Sequence, residues 1–439
     1  MNPVYYDIIY YSLLFGSFFF ILWFVPRAIG MWKGYLVAKA QLETERVLLE
    51  IRIPREINKT PLAMELVLNG MTEPSDGDWY TNITSGKRKP FYSLEIASHG
   101  GDVHFYIYIP RDFIARTEAH FYAQYPAIEL VEVKDYAKHY PFSWDTHKSF
   151  GFEYELAGPD PIPIMTYKSF GLDKAKKEFN EITDPITQTI EALANIGPQE
   201  EMWVQIVISS HKGNSTTIVK GKERWKAFVG IFFAKNLAKR VENFWMFWLG
   251  KKGSDWKAEG IELIKKIREA YTQKKDDKNE ITVNEMTKLD KIKMDAIAEN
   301  ITKPAYDVGI RTLYNAPKEH YNGDSRHHMM GSLFKQYSAG DAYNSLKPGV
   351  IPTTAYPWQD KKGKNIRKLR DDMYRAYVRR AFIYKDLEHY KYGRVLFKKF
   401  VMSTEELATI YHLPGQVAAT PSFERIESVT GQAPSNLPL

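Results

Sequence analysis

FYSLEIASHGGDVHFYIYIP, residues 91–110, decides the fold: two runs of alternating β-branched, aromatic and polar residues are separated by a tight His99-Gly100-Gly101-Asp102 turn. That pattern is a β-hairpin signal, with strands over 91–98 and 103–110. Working outward, LLEIRIP at 48–54 reads as a strand stopped by Pro54, and Thr60 with Pro61 opens a helix that runs to Gly70. After the hairpin come a helix from Arg111 to about Tyr125 and a strand AIELVEV. The order β-α-β-β-α-β is the split βαβ, ferredoxin-like arrangement over 47–140, a two-layer α+β sandwich.

A second, elaborated unit of the same class is expected over 141–415. FGFEYEL and PIPIMTYKSF (161–170) read as strands, Asp173 to about Ala194 as a helix, and EMWVQIVISS (201–210) as a buried strand. Residues 211–284 look like a helical insertion. A helix at 285–301, the strand AYDVGIRTLY, a helix near 325–338 and a late strand RVLFKKFVMS follow. The tail 416–439, with Pro421, Pro434 and Pro438, reads as an extended linker.

Ahead of the first unit, residues 1–46 read as an anchor and a juxtamembrane helix. Ile8 to Val25 carries no charge, with Tyr5, Tyr6, Tyr10 and Tyr11 at one end and Trp23 and Trp32 at the other. Arg27, Lys33, Lys39 and Arg46 follow it while only Asp7 precedes it, so the positive-inside rule places the N-terminus outside and the remainder in the cytoplasm. A single-pass protein of the cytoplasmic membrane is the expectation.

At 439 residues the chain has length for two or three domains, and 44% hydrophobic with 26% charged residues is a globular composition. With no cysteine, disulfides, thiolate metal sites and Cys nucleophiles are excluded. A net charge of +7 from 60 basic and 53 acidic residues is compatible with an anionic partner without demanding one. No GxxxxGK[ST], HExxH or GxSxG string occurs, so the sequence implies no nucleotide or metal cofactor and no enzyme. His327 and His328, near Glu319 and Asp324, point about 100° apart on a helix and do not face one ion.

Two stretches carry interaction signals. The aromatic run 225–250, with Lys226, Lys235, Lys239 and Arg240, suits an interfacial amphipathic helix as well as one packed on its own domain. The densest basic run, Lys361, Lys362, Lys364, Arg367, Lys368 and Arg370, continues to Arg375, Arg379 and Arg380 and interleaves with Tyr374 and Tyr377. Such a run is usually a solvated face, and the functional alternative is phosphate contact with nucleic acid such as DNA.

STEELATIYHLPG (403–415), followed by TPSFERIES and APSNLP (433–438), has a capping box at Ser403 and Glu406 that opens a short helix. Together with LLEIRIPREINKTPLAMELVLNGM, SLEIASHGGDVHFYIYIPR and AYPWQD (355–360), it resembles the membrane-anchored N-terminal region of type IV secretion and conjugative DNA-transfer ATPases, in versions from candidate-phyla bacteria. The similarity covers most of 47–438 and stops where the motor domain of that family would begin. It implies a non-enzymatic scaffold that docks a separate HerA/FtsK-type ATPase subunit, with Ser403, Glu405, Glu406, Tyr411 and His412 at the junction facing the motor. A homo-oligomer is compatible with this reading.

Overall fold

The computed structural model describes residues 3–54, 59–73, 84–86, 88–173, 184–211, 256–274, 281–283, 285–338, 340–350, 358, 360, 363–381 and 399–415. Its centre is a nine-stranded antiparallel sheet. The first half is built from β1 (Arg46–Arg52), α2 (Pro61–Gly70), β2 (Tyr92–His99), β3 (Asp102–Pro110), α3 (Ile114–Gln124) and β4 (Glu129–Val133), preceded by α1 (Pro3–Glu43). The second half contains β5 (His147–Leu156), α5 (Ile186–Ala194), β6 (Glu201–Ser210), β9 (Ala305–Pro317), α8 (Gly323–Ser332) and β10 (Leu346–Val350). Between the halves lies the single turn α4 (Tyr136–His139); between β6 and β9 lie α6 (Trp256–Tyr271), the small hairpin β7 (Thr272–Lys274) and β8 (Ile281–Val283), and α7 (Lys288–Asn300). The chain closes with α9 (Lys364–Val378), β11 (Phe400–Ser403) and α10 (Thr404–Ile410).

The strand order β10-β5-β9-β6-β2-β3-β1-β4 reads the same from either end. Counted within its own half, each set of four strands runs fourth-first-third-second from its outer edge, and the two second strands, β2 and β6, meet in the middle. They pair in antiparallel register from Tyr92↔Ile208 to His99↔Glu201. The sheet therefore does not stop at the boundary expected near residue 140. Two half-sheets with complementary inner edges satisfy each other's backbone groups instead of leaving both open.

The period-2 pattern sorts side chains to the two faces. Leu94, Ile96, Phe105, Ile107, Val204, Ile206, Val308 and Ile310 point to one apolar layer, closed by Met64 and Leu68 of α2, Phe121 of α3, Ile190 of α5, Met330 of α8 and Leu407 of α10. The opposite face is thinner: Ala97, Tyr106, Trp203 and Leu313 are covered by Ala137 of α4 and by Met373 and Tyr377 of α9.

Several sequence expectations need correction. Residues 161–170 form no strand: Pro161 and Pro163 lack N–H donors, and the segment is pinned by the Asn344 amide donating to Ile162 O and by Ile164 N donating to Glu406. Thr60 stands at the N-cap of α2 but its hydroxyl makes no cap bond, so Pro61 alone marks that start. The expected helix from Asp173 begins, among the described residues, at Ile186; the described part of the late strand is β11, and 382–398 lie outside the described residues. The run 225–250 and the tail 416–439 also lie outside them. Among the described residues no helix is long and apolar enough to cross a membrane. α1 nonetheless exposes Tyr10, Leu13, Leu14, Phe20 and Trp32 to solvent.

Candidate functional site

The pairing register lines up four polar residues on the thinner face. Glu95 of β2 stands opposite Gln205 of β6, Gln205 opposite Arg311 of β9, and Arg311 opposite Glu153 of β5. All four are buried. Gln205 Nε2 donates to Glu95 Oε1 at 3.0 Å, and Arg311 donates to Gln205 Oε1 at 3.4 Å and Glu153 Oε1 at 3.3 Å. In strand sequence such residues look like the solvent side of an amphipathic strand; α9 turns that side inward.

The chain leaving α9 completes the cluster. Arg380, in the left-handed region at φ 52°, is the one non-glycine residue with positive φ among the described residues. Its guanidinium donates to both Glu95 oxygens at 3.0 Å and to Asp135 Oδ2 at 2.5 Å. Tyr136 donates to Glu95 Oε2 at 2.8 Å, and its oxygen lies 2.8 Å from that of Tyr377. Burial opposes the Arg380 charge, but Glu95 and Asp135 outweigh it and hold the pKa above its usual value. At the other end of the row burial wins: Glu153 is pushed up to about 7 despite Arg311, and Arg311 is itself lowered by burial. The arrangement fastens α9 and α4 to the sheet and is closed to solvent.

Beside this cluster a second group is half open. His99 Nδ1 lies 2.6 Å from Glu201, His104 Nδ1 lies 2.8 Å from Glu50, and Tyr106 stacks on His104 between them. Burial raises Tyr106 well above its ordinary value. Among the described residues no group of three or more His, Asp or Glu side chains is placed to hold a metal ion. His327 and His328 meet edge-on, and His327 packs on Phe150 and Phe152.

The expected junction residues are a correction. Ser403, Glu405, Glu406, Tyr411 and His412 are all buried, so they do not form a docking surface. The capping box is present as expected, with Ser403 Oγ accepting from Glu406 N and Glu406 accepting from Ser403 N at 2.9 Å. Glu405 lies between Lys303 and Lys168; burial raises its pKa, but Lys303 and Thr166 outweigh that and lower it. Glu406 is pushed up to about 7 by burial against the backbone donors of Ser403 and Ile164. Tyr411 donates to Tyr106 O at 2.9 Å, and His412 pairs with Asp184 at 2.9 Å. A seven-residue polar helix gives no sequence sign that it will be swallowed, because its cover comes from α2 and 160–167.

The basic run divides. Lys361 and Lys362 lie outside the described residues. Lys364, Arg367 and Lys368 are exposed on α9, and Arg370 is half-buried with its guanidinium 5.5 Å from the Phe150 ring. Arg375 pairs with Asp371 at 2.9 Å, whereas Arg380 and Tyr377 belong to the buried cluster and cannot touch a ligand.

A family model described as a domain of unknown function (DUF8128) matches residues 37–425. The chain belongs to that family. The matched span starts in the last part of α1 and takes in every strand of the sheet together with α10, so the continuous sheet is the family's body. No curated protein matches the chain.

Proposed function

We propose that this chain is a non-enzymatic, membrane-anchored scaffold of a type IV secretion- or conjugation-like DNA-transfer apparatus, composed of two ferredoxin-like units and holding a separate motor ATPase. The observation that carries it is the burial of Ser403–His412 between the halves, which ties the chain up to Gly415 to the sheet. A scaffold must transmit position from its anchor to its partner, and this segment does so with Tyr411, Leu407 and the Lys303–Glu405 pair. The resemblance to secretion ATPases supplies the partner class, and the exposed apolar side chains of α1 fit residues 8–25 in a cytoplasmic membrane. Docking then falls to the chain beyond 415, not to the α10 side chains.

Purification of the full chain from its native host in mild detergent tests this: a HerA/FtsK-type ATPase should copurify, and carbonate should leave the chain with the membranes. Alkaline release of the chain would defeat the anchor, and an ATPase-free preparation would defeat the docking role. A second reading, a membrane-tethered nucleic-acid-binding module, is favoured by one observation: Lys364, Arg367 and Lys368 stay exposed along one helix.

A further inference from the structure

The register fixes which end of the sheet each feature occupies. α1 enters β1 at Arg46, opposite Pro110, and at that same end lie Tyr92, Ile208 and Val308. The other end is marked by the row His99, Glu201, Asn315 and Ser149. The loop before β5 stands there, and the first turns of α9 pack on it: Trp144 Nε1 donates to Asp371 at 2.9 Å, Arg367 sits 5.9 Å above the Trp144 ring, and Phe142 stacks on Tyr374 at 4.1 Å. β6 spans the whole distance with ten residues, so the two ends are about 30 Å apart.

We infer that this far end is a binding surface for single-stranded nucleic acid, built from Lys364, Arg367 and Lys368 with the rings of Trp144 and Phe142 beside them. The inference rests on the second reading above and gives it a substrate class and an orientation.

Charge comes first. Asp371 is taken by Arg375 and Trp144, and Asp360 caps α9 through Lys364 N and Ile366 N. Among the described residues no carboxylate is in ion-pair contact with Lys364, Arg367 or Lys368, and Asp372, one turn on, feels the Lys368 charge. Lys148 and Lys318 add two cations at the same end; Lys148 lies 5.2 Å over the Tyr321 ring and Lys318 donates to Asp145 O. Three cations within about one turn at the start of a helix offer a compact contact for phosphates.

The aromatic groups decide the strandedness. Trp144, Phe142 and Tyr374 are half-buried, and Trp358, just before α9, is 67% exposed. Such rings add affinity for a base whose face is open, which a duplex does not offer. Arg367 at 5.9 Å from Trp144 is loosely placed and can swing to a phosphate while a base takes its position.

Position decides against lipid headgroups. The cluster stands at the end of the sheet away from the α1 junction, by several times the roughly 8 Å over which exposed charges act at physiological salt.

The test is fluorescence anisotropy of the full chain in detergent, with a labelled oligothymidylate and a duplex of equal length, at about 50 and 200 mM salt. The comparison protein is the triple variant K364E/R367E/K368E, at exposed positions, with its fold checked by circular dichroism. Expected are binding to the single strand at least tenfold tighter than to the duplex, a steep loss with salt, and a further loss of tenfold or more in the variant. Absence of oligonucleotide binding at low salt overturns both the second reading and this inference. Equal binding of single strand and duplex, or an unaffected variant, leaves a nucleic-acid-binding protein but removes this surface. Loss in the variant of salt-sensitive pelleting with anionic vesicles, without oligonucleotide binding, assigns the cations to lipid and overturns the inference.

Discussion

Arg380 and Glu95, separated by 285 positions in the chain, face each other through two hydrogen bonds of 3.0 Å with neither side chain exposed to solvent. The pair welds the chain leaving α9 to β2, the inner strand of the first half, which meets β6. Removing one partner leaves a buried charge without its counter-charge, which costs about 3–5 kcal/mol. R380M should therefore shift the urea midpoint of the full chain downward by the equivalent of about 3–5 kcal/mol. R380K keeps the charge but loses the forked geometry, and should fall between the two. A variant with wild-type stability would show that the Ser93, Tyr136 and Gln205 donors satisfy Glu95 without it.

Stability should decline as pH rises from about 5 to 8. Glu153 and Glu406 are pushed up to about 7 in the fold, so the folded state keeps protons that the unfolded chain releases from about 4.5 upward. His412 adds the same sign: burial opposes its charge, but Asp184 outweighs it and raises the pKa, so its contribution is complete below 6.5 and is lost above the folded value. Asp184 acts oppositely; burial raises it, His412 outweighs that and lowers it, and its share disappears only as pH falls below 3.8. E153Q should flatten the decline by on the order of 2 kcal/mol between pH 5 and 8, measured by denaturant titration at each pH. A parallel decline in variant and wild type would count against the buried Glu153.

S403A removes the side-chain half of the capping box on a buried helix. The expected loss is about 1 kcal/mol or somewhat more, because Glu406 N then has no acceptor and no water to replace it. Y411F tests the same element through one bond, to Tyr106 O, and should cost about 1 kcal/mol. Thermal melts of both variants give the answer, and an unchanged melting temperature would mean that α10 is not seated as described.

Cutting the chain near residue 140 should not release two stable domains. The first half would bare β2 along the whole register from Tyr92 to His99 and lose α10 from the surface of α2. Separate production of 1–140 and 141–439 should yield aggregated or unfolded material, with folding restored on coexpression. A soluble, cooperatively melting fragment 1–140 would refute the interdependence.

Local elements were legible because their causes are local. The hairpin around His99–Asp102, the strand 201–210 and the capping box at Ser403 all follow from side-chain period and turn chemistry within a few residues. What escaped depends on distant partners. Glu95, Gln205 and Arg311 carry no sign that they stand in one row, since the register joining three strands is set by the whole sheet. Arg380 reads as the end of a basic run and is instead buried, because the left-handed turn after α9 points it inward. The polar helix at 404–410 reads as surface because its cover lies at 61–70 and 160–167.

The shortest route through the molecule from α1 to Gly415 is mechanical as well as structural. α1 runs into β1, the chain continues from β1 to α2, and α10 lies directly on α2, with Tyr411 holding the backbone of β3. A pull between α1 and Gly415 is therefore borne by this corner and by the short ladder of β11 on β9. The end of the sheet marked by His99, Glu201 and the first turn of α9 lies outside that route, so a pull on α1 reaches Gly415 without passing through it.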